Sequence, residues 1–146
     1  MSRVSVGALL FAAAVLLGGC SRPGSAQVAD LPITGKVTLD GQPVAGATVM
    51  FQSQSTLATF GAVTAADGTY HLQTSEHRVG EYKGPCKVSI SKFLKSDGTP
   101  LGPNEPPFAG GATESLPRKT STLETTTLTA DVPEGGGTFD FDLKKE

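Results

Sequence analysis

From Ile33 onward, apolar and polar residues alternate with a period of two, and this pattern sets the fold class. Ile33, Gly35, Val37 and Leu39 interleave with Thr34, Lys36, Thr38 and Asp40, as in a strand with one buried face. A second run, 47–52, places Ala47, Val49 and Phe51 on one side, and a weaker one covers 57–64. Tyr70 and Leu72 point inward from 69–73. Cys86, Val88 and Ile90 do so from the next run, and Leu128, Ala130 and Val132 from 127–132. The chain ends on 138–143, with Phe139, Phe141 and Leu143 on one face and Asp140 and Asp142 on the other. Asp40-Gly41 followed by Pro43, Asp67-Gly68 and the glycines at 135–137 supply the turns. About seven short strands predict an all-β fold, a single small β-sandwich. About a dozen large inward side chains, each contributing roughly 1.5–3 kcal/mol on burial, suffice for one core.

Two stretches escape the alternation. Residues 93–118 hold Pro100, Pro103, Pro106 and Pro107 among several glycines, and read as a long loop of the kind that is commonly functional or disordered. Residues 20–32, with Pro23 and Pro32, read as a tether preceding a domain at 33–146. Before it, residues 4–17 form an apolar run broken only by Ser5 and Gly7, with Arg3 in front. That run falls short of the roughly 20 residues a membrane span needs, and suits the core of an export signal covering 1–19.

Leu17-Gly18-Gly19-Cys20 resembles a bacterial lipobox. The resemblance implies cleavage before Cys20 and a diacylglycerol on its thiol, with Leu17, Gly18 and Gly19 as the cleavage flank. One acyl chain holds only marginally, and two or more hold stably. Ser21 follows the cysteine where an aspartate is absent, which implies an exported protein anchored at the outer membrane or cell surface.

Charge and cysteine content narrow the function classes. The whole chain carries a net charge of −2, and loss of Arg3 with the signal moves it one unit further negative. No basic run exceeds two residues and tryptophan is absent, so the basic stripe of a nucleic-acid binder is missing. Of two cysteines, lipidation of Cys20 leaves Cys86 without a disulfide partner. Its alternating position makes it a small core residue.

Residues 35–51, Gly35-Lys-Val-Thr-Leu-Asp-Gly-Gln-Pro-Val-Ala-Gly-Ala-Thr-Val-Met-Phe51, resemble the opening hairpin of carboxypeptidase regulatory-like domains. Ala66-Asp67-Gly68-Thr69-Tyr70-His71-Leu72 resembles their second signature. Gly41, Gly46, Asp67 and Gly68 are the turn positions. The resemblance implies a transthyretin-like or immunoglobulin-like sandwich without catalytic residues, and the terminal strand looks like that of small lipoproteins from planctomycete-type bacteria.

Candidate chemistry is sparse. Glu76, His77 and Glu81 cluster near His71 without a zinc-ligand spacing. Asp67-Gly68 resembles a calcium-loop fragment, but Ala65 and Ala66 stand where further oxygen ligands belong. There is no Gly-x-Ser-x-Gly elbow, and residues 135–137 lack the Lys-Ser/Thr ending of a phosphate loop. Asp140 and Asp142 read as solvating a sheet face. The expectation is a non-catalytic, cofactor-free, membrane-anchored module of the cell envelope. Its candidate partners are an envelope polysaccharide or another exported protein, met by loops at one end of the sandwich. Phe60, Tyr82, Phe93 and Phe108 are the spare aromatics for a carbohydrate platform. The alternative is an accessory subunit of an envelope transport or secretion complex, docked by an open sheet edge or by the 93–118 loop.

Overall fold

A computed structural model describes residues 28–75, 81–101, 105–106 and 108–145; residues 17–20 lie outside them. The strands are β1 (Val28–Leu39), β2 (Gln42–Pro43), β3 (Thr48–Ser53), β4 (Thr59–Val63), β5 (Thr69–Ser75) and β6 (Gly84–Ser91). They continue with β7 (Phe93–Leu94), β8 (Thr113–Glu114), β9 (Thr129–Val132), β10 (Gly137–Thr138) and β11 (Phe141–Leu143). A one-turn helix, α1, covers Arg118–Ser121. The protein is all-β and sandwich-like, and every alternating run of the sequence forms strand.

The main sheet has the order β10-β1-β5-β4-β3-β6-β9, and β2 and β11 flank the C-terminal half of β1. Neighbours are antiparallel except along β1, where β10 and β11 run parallel to it. Connectivity forces this sheet to curl. Laid flat, seven strands would put β9 and β10 about 29 Å apart. The link through residues 133–136 reaches no more than about 18 Å. Tyr82 extends the β6–β9 pairing onto that link, its hydroxyl donating to the Glu134 carbonyl at 2.9 Å. The inner faces of the curl therefore meet one another.

That interior is the core. Ile33, Val37, Val49, Leu72, Val88 and Ile90 are fully buried, as their alternation predicts. Phe51 lies among the rings of Tyr70, Phe139 and Phe141, with centroids 6.1–6.3 Å away. Thr64, buried at the start of the β4–β5 turn, donates its hydroxyl to the Val44 carbonyl and accepts the Ala47 N–H. A buried backbone donor and acceptor are thereby satisfied through one side chain.

Two expectations need correction. The domain does not begin at Ile33: β1 starts at Val28, and Leu31, assigned to the tether, is fully buried. Pro32 concealed this, because a strand interior rarely tolerates proline. It sits where the β1–β5 register shifts between Asp30 and Thr34, and the imidazole Nε2 of His71 meets the Leu31 carbonyl at 2.7 Å. The 93–118 segment is no featureless loop. β7 and β8 pair as a second small sheet, a 3-10 turn covers Ala109–Gly111, and Leu116 is buried. The helix α1 packs on β6, and Ser89 of that strand is buried as well.

Asp140 and Asp142 do more than wet the sheet. The Lys36 N–H donates to Asp140 at 2.8 Å. One oxygen of Asp142 accepts from the Thr38 hydroxyl at 2.8 Å and from the Gly41 N–H at 3.1 Å. The Lys144 ammonium, then these two donors, hold the Asp142 carboxyl down at about 2. Its ordinary unfolded value is about 3.9. A depressed acid stabilises the fold above its unfolded value, and that contribution disappears as pH falls through its folded value. Urea midpoints of wild type and Asp142→Asn are accordingly expected to differ at pH 6 and converge by about pH 2. A constant gap across this range would contradict the assignment.

Candidate binding groove

Strand direction gives the body two poles. β1 enters at Val28, and pairing places Ser75, Ser53, Gly84 and Val132 at that same N-terminal pole. The opposite pole carries the turns at 40–41 and 64–68 and the whole 92–128 excursion, since β6 ends there beside Thr48.

The two signature segments interlock at this second pole. The Val37 N–H donates to the Gly68 carbonyl at 2.9 Å, and the Val44 N–H to the Val37 carbonyl at 3.0 Å. Gly41, Gly46 and Gly68 all have positive φ. At Gly68 an added Cβ would also lie 2.6 Å from the Val37 carbonyl, so the turn fits against the hairpin only with glycine there. Asp67 accepts the N–H and hydroxyl of Thr69 at 3.0 and 2.6 Å. Those bonds hold its carboxyl below the usual range. That is an Asx turn, and its side chain is committed to the backbone.

Beside this unit, β7, β8 and α1 frame an open groove of about 490 Å³. Phe93 enters from β7, and Phe108 stands 81 % exposed at the head of the 3-10 turn. Arg118 opens α1, and Thr113, Ser121 and Thr122 add hydroxyls to the lining. Glu114 anchors the floor, one carboxylate oxygen accepting the N–H groups of Lys92 at 2.8 Å and Leu116 at 3.0 Å. A neighbouring concavity of about 400 Å³ shares Glu114 and Arg118 in its lining and reaches Lys145. A further hollow of about 290 Å³ is shared by Lys145, Lys92 and Asp40. Among the described residues the ion pairs join Lys83 to Glu134, Lys95 to Glu105 and Lys144 to Asp142, and none engages Lys92, Arg118 or Lys145.

The spare aromatics divide between core and surface. Phe60 and Tyr82 are buried, whereas Phe93 and Phe108 meet in this one groove. The remaining candidates supply no reactive constellation. Glu76 and His77 lie outside the described residues. Among those described, no group of three or more His, Cys, Asp or Glu residues converges on a metal position. Burial pushes the Cys86 thiol up, and its sulfur faces the carbonyls of Tyr82 and Gly84. A second hollow, about 670 Å³, lies on the outer face of β1, β5 and β4. Several of its polar side chains are taken: His71 meets the Leu31 carbonyl, Asp140 the Lys36 N–H, and the Tyr70 hydroxyl the Phe139 carbonyl. Sequence reasoning missed Arg118 and Lys145 as groove residues. They come together only through the 92–118 excursion.

No family model and no curated protein matches this chain. Among solved structures, the crystal structure of a 9R-lipoxygenase from Cyanothece PCC8801 is similar at 11% identity, with a TM-score of 0.37. The similarity covers 77% of this chain and only 16% of that one, and is too slight to transfer fold or chemistry.

Proposed function

We propose that the protein is a lipid-anchored, non-catalytic binding module of the cell envelope, built on a carboxypeptidase regulatory-like sandwich. Its Cys20 carries the lipid, and its body offers the groove at the 92–128 pole to an envelope ligand. One observation carries this reading: β1 begins at the pole opposite the groove. A chain fastened through residue 20 therefore presents the groove away from its anchor. Eight steps from Cys20 to Val28 span at most roughly 26–29 Å, which keeps the N-terminal pole within that distance of the anchor. The interlocking of segments 35–51 and 64–72 supports the domain assignment.

Intact-mass analysis of the membrane-extracted protein is expected to find a chain starting at residue 20 with added acyl mass. Cells fed radioactive palmitate should label wild type and leave Cys20→Ser unlabelled and released from membranes. An unmodified Cys20 overturns the anchor.

A further inference from the structure

We propose that the groove binds an acidic saccharide, with a sugar ring against Phe108 and its carboxylate at Arg118. The inference deepens the binding-module reading and does not depend on the lipid.

The occupant follows from what the lining lacks. Phe108 offers a bare apolar face, without the hydroxyl of a tyrosine, and it is largely uncovered. It therefore takes an apolar face in return, such as the C–H face of a pyranose. The hydroxyl groups on the α1 side are already spent as donors, while Thr113 keeps its own. Ser121 donates to the Arg118 carbonyl at 3.0 Å, Thr122 and Thr125 bond each other at 2.8 Å, and Thr125 meets the Arg118 carbonyl at 3.3 Å. The remaining capacity of these three is largely as acceptors, which suits a ligand that brings O–H donors.

Charge supplies the third requirement. Arg118 lines the groove, and Lys145 and Lys92 line the neighbouring hollows, all without carboxylate partners among the described residues. Glu114 gives one oxygen to the backbone, and its other oxygen is buried without a hydrogen-bond partner. A guanidinium open on one side pairs best with a planar carboxylate, through two parallel hydrogen bonds. Apolar ring face, hydroxyl donors and carboxylate together describe a uronic acid residue. An acidic homopolymer such as polyglutamate would satisfy the cations but bring no ring face to Phe108.

The test uses the full-length protein in detergent micelles, with polygalacturonate as probe in affinity electrophoresis. Dextran is the uncharged control and polyglutamate the charge-only control. Retention by polygalacturonate is expected, weakening about tenfold in Arg118→Gln and about fivefold in Phe108→Ala, with little retention by either control. Both side chains are exposed, and matching circular dichroism checks that the variants fold. Absence of retention by polygalacturonate overturns the proposal. So does equal retention by polyglutamate, or a Phe108→Ala variant that binds like wild type. Retention with Cys20 unlabelled removes the anchor and leaves the groove standing; labelled Cys20 without retention does the reverse.

Discussion

Gly35→Ala is expected to destabilise the protein by about 3 kcal/mol or more, a fall of about 10 °C or more in Tm. Gly35 sits on β1 where the segment between β10 and β11 crosses closest. A Cβ added there would lie 1.9 Å from the Phe139 carbonyl oxygen and 2.7 Å from the Tyr70 hydroxyl. Neither neighbour has room to withdraw. The Phe139 carbonyl accepts the Tyr70 hydroxyl at 2.6 Å, and the Phe139 N–H donates to the Thr34 carbonyl at 2.8 Å. Relief requires moving the terminal strand off β1, which also breaks the bond from Lys36 N–H to Asp140. Thermal melting followed by circular dichroism measures this. A variant melting within about 2 °C of wild type would contradict the close approach.

Phe51→Ala is expected to cost about 3–5 kcal/mol, through lost burial and the cavity left behind. Phe51 is fully buried. It lies on β3 between Phe60 of β4 and Val88 of β6. Its ring is the common neighbour of Tyr70, Phe139 and Phe141, two of them edge-on. Such aromatic pairs add roughly 0.5–1.5 kcal/mol each beyond area burial. Phe51→Leu keeps much of the volume and loses the ring contacts, so it should fall between wild type and alanine. Urea unfolding gives the comparison, read as a lower midpoint with an unchanged denaturant slope. A loss under about 1 kcal/mol for alanine would mean that the three rings do not converge on this position.

Much of this body was legible because most strands bury one face and wet the other, so a period of two survives in the residues. The terminal aspartates were legible in position but not in purpose, since acceptance of the Lys36 and Gly41 N–H groups depends on a parallel neighbour about a hundred residues away. β7 and β8 are two residues each, too short to express any period. One signal in that segment was readable. Asp97-Gly98-Thr99 repeats Asp67-Gly68-Thr69, and the structure repeats the turn bond for bond. Asp97 accepts the N–H and hydroxyl of Thr99 at 2.9 and 2.6 Å, and Gly98 also has positive φ. The groove itself was only half legible. Phe93 and Phe108 could be named as aromatics without a core position, but their meeting with Arg118 is a product of the β7–β8 pairing and the 3-10 turn.

The pairing of β1 with β10 and β11 joins the first strand to the last, and this fixes when folding can finish. Thr34 waits for Thr138, and Val37 for Phe141. A nascent polypeptide lacking its final ten residues thus leaves one flank of its opening strand without a neighbour. Contacts of such large sequence separation slow the search for the native state. The curl therefore cannot lock before residues 137–143 have been made, and until then the nascent body stays open along that flank.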